Sequence, residues 1–146
     1  MIRPSDINPD VELRDFLTGK ISVGLSDGST APVTVYGDWE KPTNEVPDDF
    51  ILVMINGTAG GVGTGVDYAE GYLAVSLYSK LNDNGTVKKN RVKKILRQFD
   101  DIIERTKTAH FFFRYASPQY ITPTTPNITS GYSITTLNLV WHTTNN

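Results

Sequence analysis

Val87-Lys-Lys-Asn-Arg-Val-Lys-Lys-Ile-Leu-Arg-Gln-Phe-Asp-Asp-Ile-Ile-Glu-Arg-Thr106 carries the clearest periodic signal in the chain. Val92, Ile95, Leu96, Phe99, Ile102, Ile103 and Thr106 recur at i, i+3, i+4, i+7, i+10, i+11 and i+14, which is one face of an α-helix. The runs on either side have another character. Upstream stand Phe50-Ile-Leu-Val-Met-Ile-Asn56 and Tyr68-Ala-Glu-Gly-Tyr-Leu-Ala-Val-Ser-Leu-Tyr-Ser-Lys80; downstream stand Phe111-Phe-Phe-Arg-Tyr115 and Tyr132-Ser-Ile-Thr-Thr-Leu-Asn-Leu-Val-Trp-His142. Aromatic and β-branched residues dominate these runs, so they predict strands, and the unbroken apolar run from Phe50 predicts one buried on both faces.

Toward the N-terminus, Asn8-Pro-Asp-Val-Glu-Leu-Arg-Asp-Phe-Leu-Thr-Gly19 reads as a short helix. Asn8 suits the cap, Pro9 the first turn, the acids the positive end of the dipole, and Gly19 a left-handed stop. Val11, Leu13, Phe16 and Leu17 form its apolar stripe. Ile21 to Leu25 and Val33 to Tyr36 flank Ser26-Asp-Gly-Ser29, a hairpin signal. Residues 37–49 and the Pro118, Pro123 and Pro126 region read as loops. The expected fold is α+β, a mainly antiparallel sheet packed by the N-terminal helix and the long amphipathic helix. The expected core holds Leu13, Phe16, Ile51, Val53, Leu73, Val75, Ile95, Phe99, Ile102, Leu137 and Leu139. With 146 residues, 1–146 is expected to be a single domain.

Composition removes several function classes. There is no cysteine, hence no disulfide framework, thiolate metal site or cysteine nucleophile. The two histidines, His110 and His142, lie 32 residues apart without a second ligand at helical spacing. No Gly-x-Ser-x-Gly elbow between a strand and a helix occurs, since Gly24-Leu-Ser-Asp-Gly28 has the letters but spans the expected hairpin turn, and the carboxylate groups Asp48-Asp49, Asp100-Asp101 and Asp67 with Glu70 lack the spacing of a calcium loop or an acid–base pair. The expectation is a non-enzyme without catalytic residues, metal or cofactor. No run approaches the roughly 20 apolar residues of a membrane span, and no signal segment opens the chain, so a cytoplasmic, membrane-free protein is expected. The Asn-x-Thr triplets at Asn56, Asn84 and Asn127 read as turn sequences.

Two features invite a functional reading. Gly57-Thr-Ala-Gly-Gly-Val-Gly-Thr-Gly65 holds five glycines in nine residues and predicts a mobile, irregular loop between two adjacent strands. It fits neither a phosphate loop nor a dinucleotide fingerprint, because no Gly-Lys-Ser/Thr closes it and Val66 stands where the last glycine belongs. Charge is the second feature. Residues 1–70 carry twelve acids against four bases, whereas residues 88–107 carry eight bases against three acids, within a net charge of −2. Lys88, Lys89, Arg91, Lys93, Lys94 and Arg97 crowd the start of the long helix, where cations oppose the macrodipole. The plain reading is a solvated face partly paired with the acidic half of the chain; the functional readings are an acidic face of a neighbouring subunit or a basic surface near DNA. Gly57, Gly60, Gly61, Gly63, Gly65, Lys88, Lys89, Arg91 and Lys93 are thus the candidate interface residues. The last thirty residues hold eleven Ser or Thr and no acid, and such strands either pair with a neighbouring subunit or occupy the sheet interior.

Taken in order, these pieces resemble the tail terminator, or tail completion, proteins of long non-contractile-tailed phages. The likeness runs through the N-terminal helix, the strand from Pro47-x-x-Phe50, Gly71-Tyr-Leu-Ala-Val-Ser-Leu-Tyr78, the turn Asn82-Asp-Asn-Gly85, the helix ending Phe99-Asp-Asp-Ile-Ile-Glu104, and Ser130-Gly-Tyr-Ser-Ile-Thr-Thr-Leu-Asn-Leu-Val-Trp141. The resemblance implies a structural virion protein, assembled in the bacterial cytoplasm, that forms a homo-oligomeric, hexameric ring on the tail tube. Such a ring ends tube polymerisation and joins the tail to the head–tail connector protein, and DNA passes through its lumen without sequence-specific binding. Its partners are the tail-tube protein and the connector, with no membrane. A connector, a stopper or a tube subunit is the rival within this class, and a monomeric binding module is the rival outside it.

Overall fold

In the computed structural model, which describes residues 8–37, 46–56, 60–61, 69–103, 106–116 and 120–144, two helices and nine strands follow one another. The order is α1 (Pro9–Leu17), β1 (Ser22–Gly24), β2 (Thr30–Pro32), β3 (Thr34–Tyr36), β4 (Asp49–Ile55), β5 (Gly60–Gly61), β6 (Ala69–Lys80), α2 (Lys89–Ile103), β7 (Phe111–Tyr115), β8 (Ile121–Asn127) and β9 (Tyr132–Thr143). The architecture is α+β. β1 and β2 form a small sheet, and the main sheet runs β3-β4-β6-β9-β7, with β5 beside the start of β6 and β8 beside the start of β9. Among the described strands, pairing is antiparallel except between β3 and β4.

Register explains the core. Val53 lies opposite Val75, which lies opposite Leu137, and two residues along Leu73 lies opposite Leu139; alternation puts all of them on one face. The cluster built on that face also contains Leu13 and Leu17 of α1 and Val92, Ile95, Phe99 and Ile103 of α2. β4 is buried on both faces over its first five residues, as its unbroken apolar run predicts.

Several expectations need correction. Val11 is 37% exposed and lies off the buried stripe of α1, while Phe16 and Ile102 pack against the core only half-buried. Asn8 precedes α1, but its side chain makes no capping hydrogen bond; the helix start rests instead on Pro9 and the acids Asp10 and Glu12. Gly19 does follow with φ +81°, the left-handed stop. The hairpin is shorter than expected. Its ladder joins Ser22–Gly24 to Thr30–Pro32, and residues 34–36 leave it to run parallel to β4, where Val35 reaches the core. Val33 still donates its N–H to the Ile21 carbonyl at 2.8 Å, so the departure follows Val33. α2 ends at Ile103, before Thr106, whose hydroxyl donates to the Ile102 carbonyl at 2.8 Å.

β8 is a strand where a loop was expected. Pro123 and Pro126 lower a strand reading, yet among the described strands β8 pairs on one side only, with β9, and its register shifts between Thr122 and Thr125. An edge strand tolerates proline because its outward N–H groups need no ladder partner. β9, by contrast, is interior, flanked by β6 on one side and by β7 and β8 on the other. Of the two readings of the Ser/Thr-rich tail, an interior position is the one β9 takes; Ser133, Thr135 and Thr143 are buried there.

Candidate functional site

The apolar stripe of α2 fixes where its cations go. With Val92, Ile95, Phe99 and Ile103 turned into the core, the opposite arc faces solvent, and on it stand Lys89, Asn90, Lys93, Lys94 and Arg97. The candidate residues therefore separate into two groups. Lys89 and Lys93 lie on the exposed arc, whereas Lys88 and Arg91 turn toward the protein's own acids.

Arg91 is the anchor of that inward group. Its Nε reaches both carboxylate oxygens of Asp49 at 3.1 and 2.9 Å, its second guanidinium nitrogen reaches Oδ2 at 2.5 Å, and its third donates to the Gly24 carbonyl at 3.0 Å. Asp49 opens β4 and is buried; it also accepts the Ser79 hydroxyl at 2.7 Å. A carboxylate held by a bidentate guanidinium and a hydroxyl is satisfied in the way burial demands. The hydrogen bonds to Asp49 push the Arg91 pKa above its ordinary value, against the opposing effect of burial, and the charges of Asp49 and Asp48 add to the rise. Nearby, the Tyr132 hydroxyl donates to the Pro47 carbonyl at 2.8 Å; burial, and then the charges of Asp48 and Asp49, push its pKa up.

Two open clefts border Arg91. One, of about 370 Å³, lies between Lys88 and the turn at Gly24 to Asp27, with Asp48 on its wall. The other, of about 410 Å³, lies between β1 and α2 and is lined by Ser22, Thr30, Lys94 and Gln98 among others. Across it, the Gln98 side-chain amide accepts the Ser22 N–H at 2.9 Å and donates to the Ser22 carbonyl at 2.8 Å. The amide thus pairs with β1 as a neighbouring strand would. Neither this clamp nor the Asp49, Ser79 and Arg91 network was singled out from sequence. The available signals were the Asp48-Asp49 pair at the head of an apolar strand and polar residues flanking the apolar stripe of α2.

The glycine segment is only partly described. Gly60 and Gly61 form β5, paired with Glu70 and Ala69, which corrects the expectation that these residues form no regular structure. Without side chains, two glycines can lie along a strand as readily as in a loop. β4 and β6 on either side of the segment are adjacent and antiparallel, as expected. Gly57, Gly63 and Gly65 lie outside the described residues.

The histidines stand apart from this region. His110 immediately precedes β7; its Nδ1 lies 2.8 Å from Glu12 Oε2 and its backbone N–H donates to Glu12 Oε1 at 3.1 Å, tying α1 to the start of β7. His142 lies on β9 beside the Phe112 ring, with centroids 5.2 Å apart. Among the described residues no group of three or more His, Asp or Glu is arranged to hold a metal ion, and no helix is long and apolar enough to cross a membrane. Compared with known protein families, curated proteins and solved structures, the chain finds no match in any of the three.

Proposed function

We propose that this chain is a single-domain structural subunit of a virion, with α1 and α2 packed on its sheet, that closes into a ring on a phage tail tube. In this reading the ring ends tube growth and offers its other side to the head–tail connector, and DNA passes through the lumen. The observation that carries it is the order of elements: α1, the Phe50 strand, the Gly71 to Tyr78 segment of β6, amphipathic α2 and the closing strand β9 follow one another as in the family the sequence resembles. Such a protein works by surface rather than by chemistry, and a cationic helix face of the kind seen on α2 suits contact with an anionic partner, protein or nucleic acid.

Native mass tests the proposal. Sedimentation of the purified protein over a range of concentration and magnesium is expected to give a closed species near six times 16.2 kDa. Purified tube ends added to it should retain one ring each. Open stacks that lengthen with concentration would assign the chain to the tube itself. A monomer at every condition that also ignores tube ends overturns the ring and leaves the binding module.

A further inference from the structure

The exposed arc of α2 carries a charge that the described protein leaves unanswered. Lys89, Lys93 and Arg97 follow one another at i, i+4 and i+8, with Lys94 beside them, so four cations share about 12 Å of helix. Among the described residues none of the four has a hydrogen bond or ion pair with an acid; the ion pairs present are Arg14 with Asp15, Lys80 with Asp48, Arg91 with Asp49 and His110 with Glu12. The acids of α2 itself, Asp100 and Asp101, lie in its last turns, and Asp100 accepts the Tyr115 hydroxyl. Four like charges over the first turns repel one another and oppose the helix dipole, a cost that a bound anion would offset.

We infer that this row, Lys89, Lys93, Lys94 and Arg97, is a contact for the phosphate backbone of double-stranded DNA. The charges are held on a rigid helix at a spacing of about 5–6 Å between neighbouring turns, which suits a regular polyanion. An acidic protein partner would need a matching acidic face, whereas the exposed acids of a second copy among its described residues (Asp15, Asp27, Asp48, Glu70, Asp83 and the pair at the end of α2) come singly or in twos from six separate segments of the chain. The row has no apolar or aromatic side chain on its exposed arc to stack on bases, so binding is independent of sequence. The inference stands on the helix alone and does not require the ring.

Fluorescence anisotropy of a labelled, mixed-sequence duplex of about 30 base pairs, titrated with the full chain from about 20 to 200 mM KCl, tests it. Four phosphate contacts predict a slope of log K against log salt of about −3.6, and a second duplex of unrelated sequence should bind equally well. The variant Lys89→Gln/Lys93→Gln/Lys94→Gln/Arg97→Gln should bind at least about tenfold more weakly at about 50 mM salt, with a slope near zero. Glutamine keeps the helix propensity, and an unchanged circular dichroism melt verifies the fold. Should the fourfold variant fail to fold, Lys93→Gln alone should lower the slope by about 0.9. Lys20→Gln, away from the row, should change neither quantity. Absence of salt-dependent binding by the unaltered protein, equal binding by the variant, or capture of a poly-glutamate peptide in place of the duplex overturns the assignment. A ring that ignores DNA defeats this inference alone, and a monomer that binds DNA through the row defeats the ring alone.

Discussion

Gly71 shows how closely one residue can be specified by another. A Cβ built there would lie 2.7 Å from Trp141 Cζ2 and 2.8 Å from Cε2, because the indole lies flat against the β6 backbone at the register position opposite. Trp141 is 2% exposed and packs edge-on against Phe111 at 5.4 Å, so the ring has no room to withdraw. Gly71→Ala is expected to destabilise the protein by about 1–3 kcal/mol through overpacking, read as a lower urea midpoint with an unchanged slope. A variant as stable as the parent would mean the indole can move aside. In sequence, Gly71 looks like a weak point in a strand, and nothing local connects it with a tryptophan seventy positions on. The same holds for Asp49: a carboxylate at the head of an apolar strand is visible, but the Ser79 and Arg91 groups that satisfy it come from other elements.

At the scale of elements, the strongest patterns were legible and the shortest were not. α2, β4, β6, β7 and β9 fall within about three residues of their expected bounds, because a long 3.6-residue period or a dense β-branched run encodes its own burial. The strand at Val33 to Tyr36 was legible but not the partner that β3 takes, and β8 was not legible at all. Three residues carry too little pattern to reveal a parallel partner, and the prolines of β8 signal a loop unless its edge position is known. The attachment of β1 to α2 is likewise a matter of side chains. Gln98→Ala removes both hydrogen bonds to Ser22, and at about 0.5–1.5 kcal/mol each it should cost about 1–3 kcal/mol. Hydrogen exchange would localise the effect: faster exchange at the Ser22 amide with the β6 and β9 amides still protected. Uniformly faster exchange would mean that the clamp supports the whole fold.

For the molecule as a whole, β9 is the piece on which the sheet closes. It pairs with β6 over eleven positions and with β7 and β8 along its other edge, so the last strand of the chain lies inside the main sheet. A chain ending at Gly131 should therefore lose the main sheet, with far-ultraviolet strand signal and near-ultraviolet aromatic signal lost together; survival of either would show that β4 and β6 hold a core without it. Amphipathic period, strand composition, the left-handed Gly19 and the crowding of cations at one helix start were determined by the sequence by itself, since each depends on neighbours within a turn or two. Tertiary structure alone decided which of those cations meet an acid among the described residues. It swung Arg91 onto Asp49 and left Lys89, Lys93, Lys94 and Arg97 on the outer arc, because the rotation of a helix about its axis is set by the core its apolar stripe must meet. Strand order followed the same physics: register and edge are settled by which faces can be buried together, a condition no single segment contains.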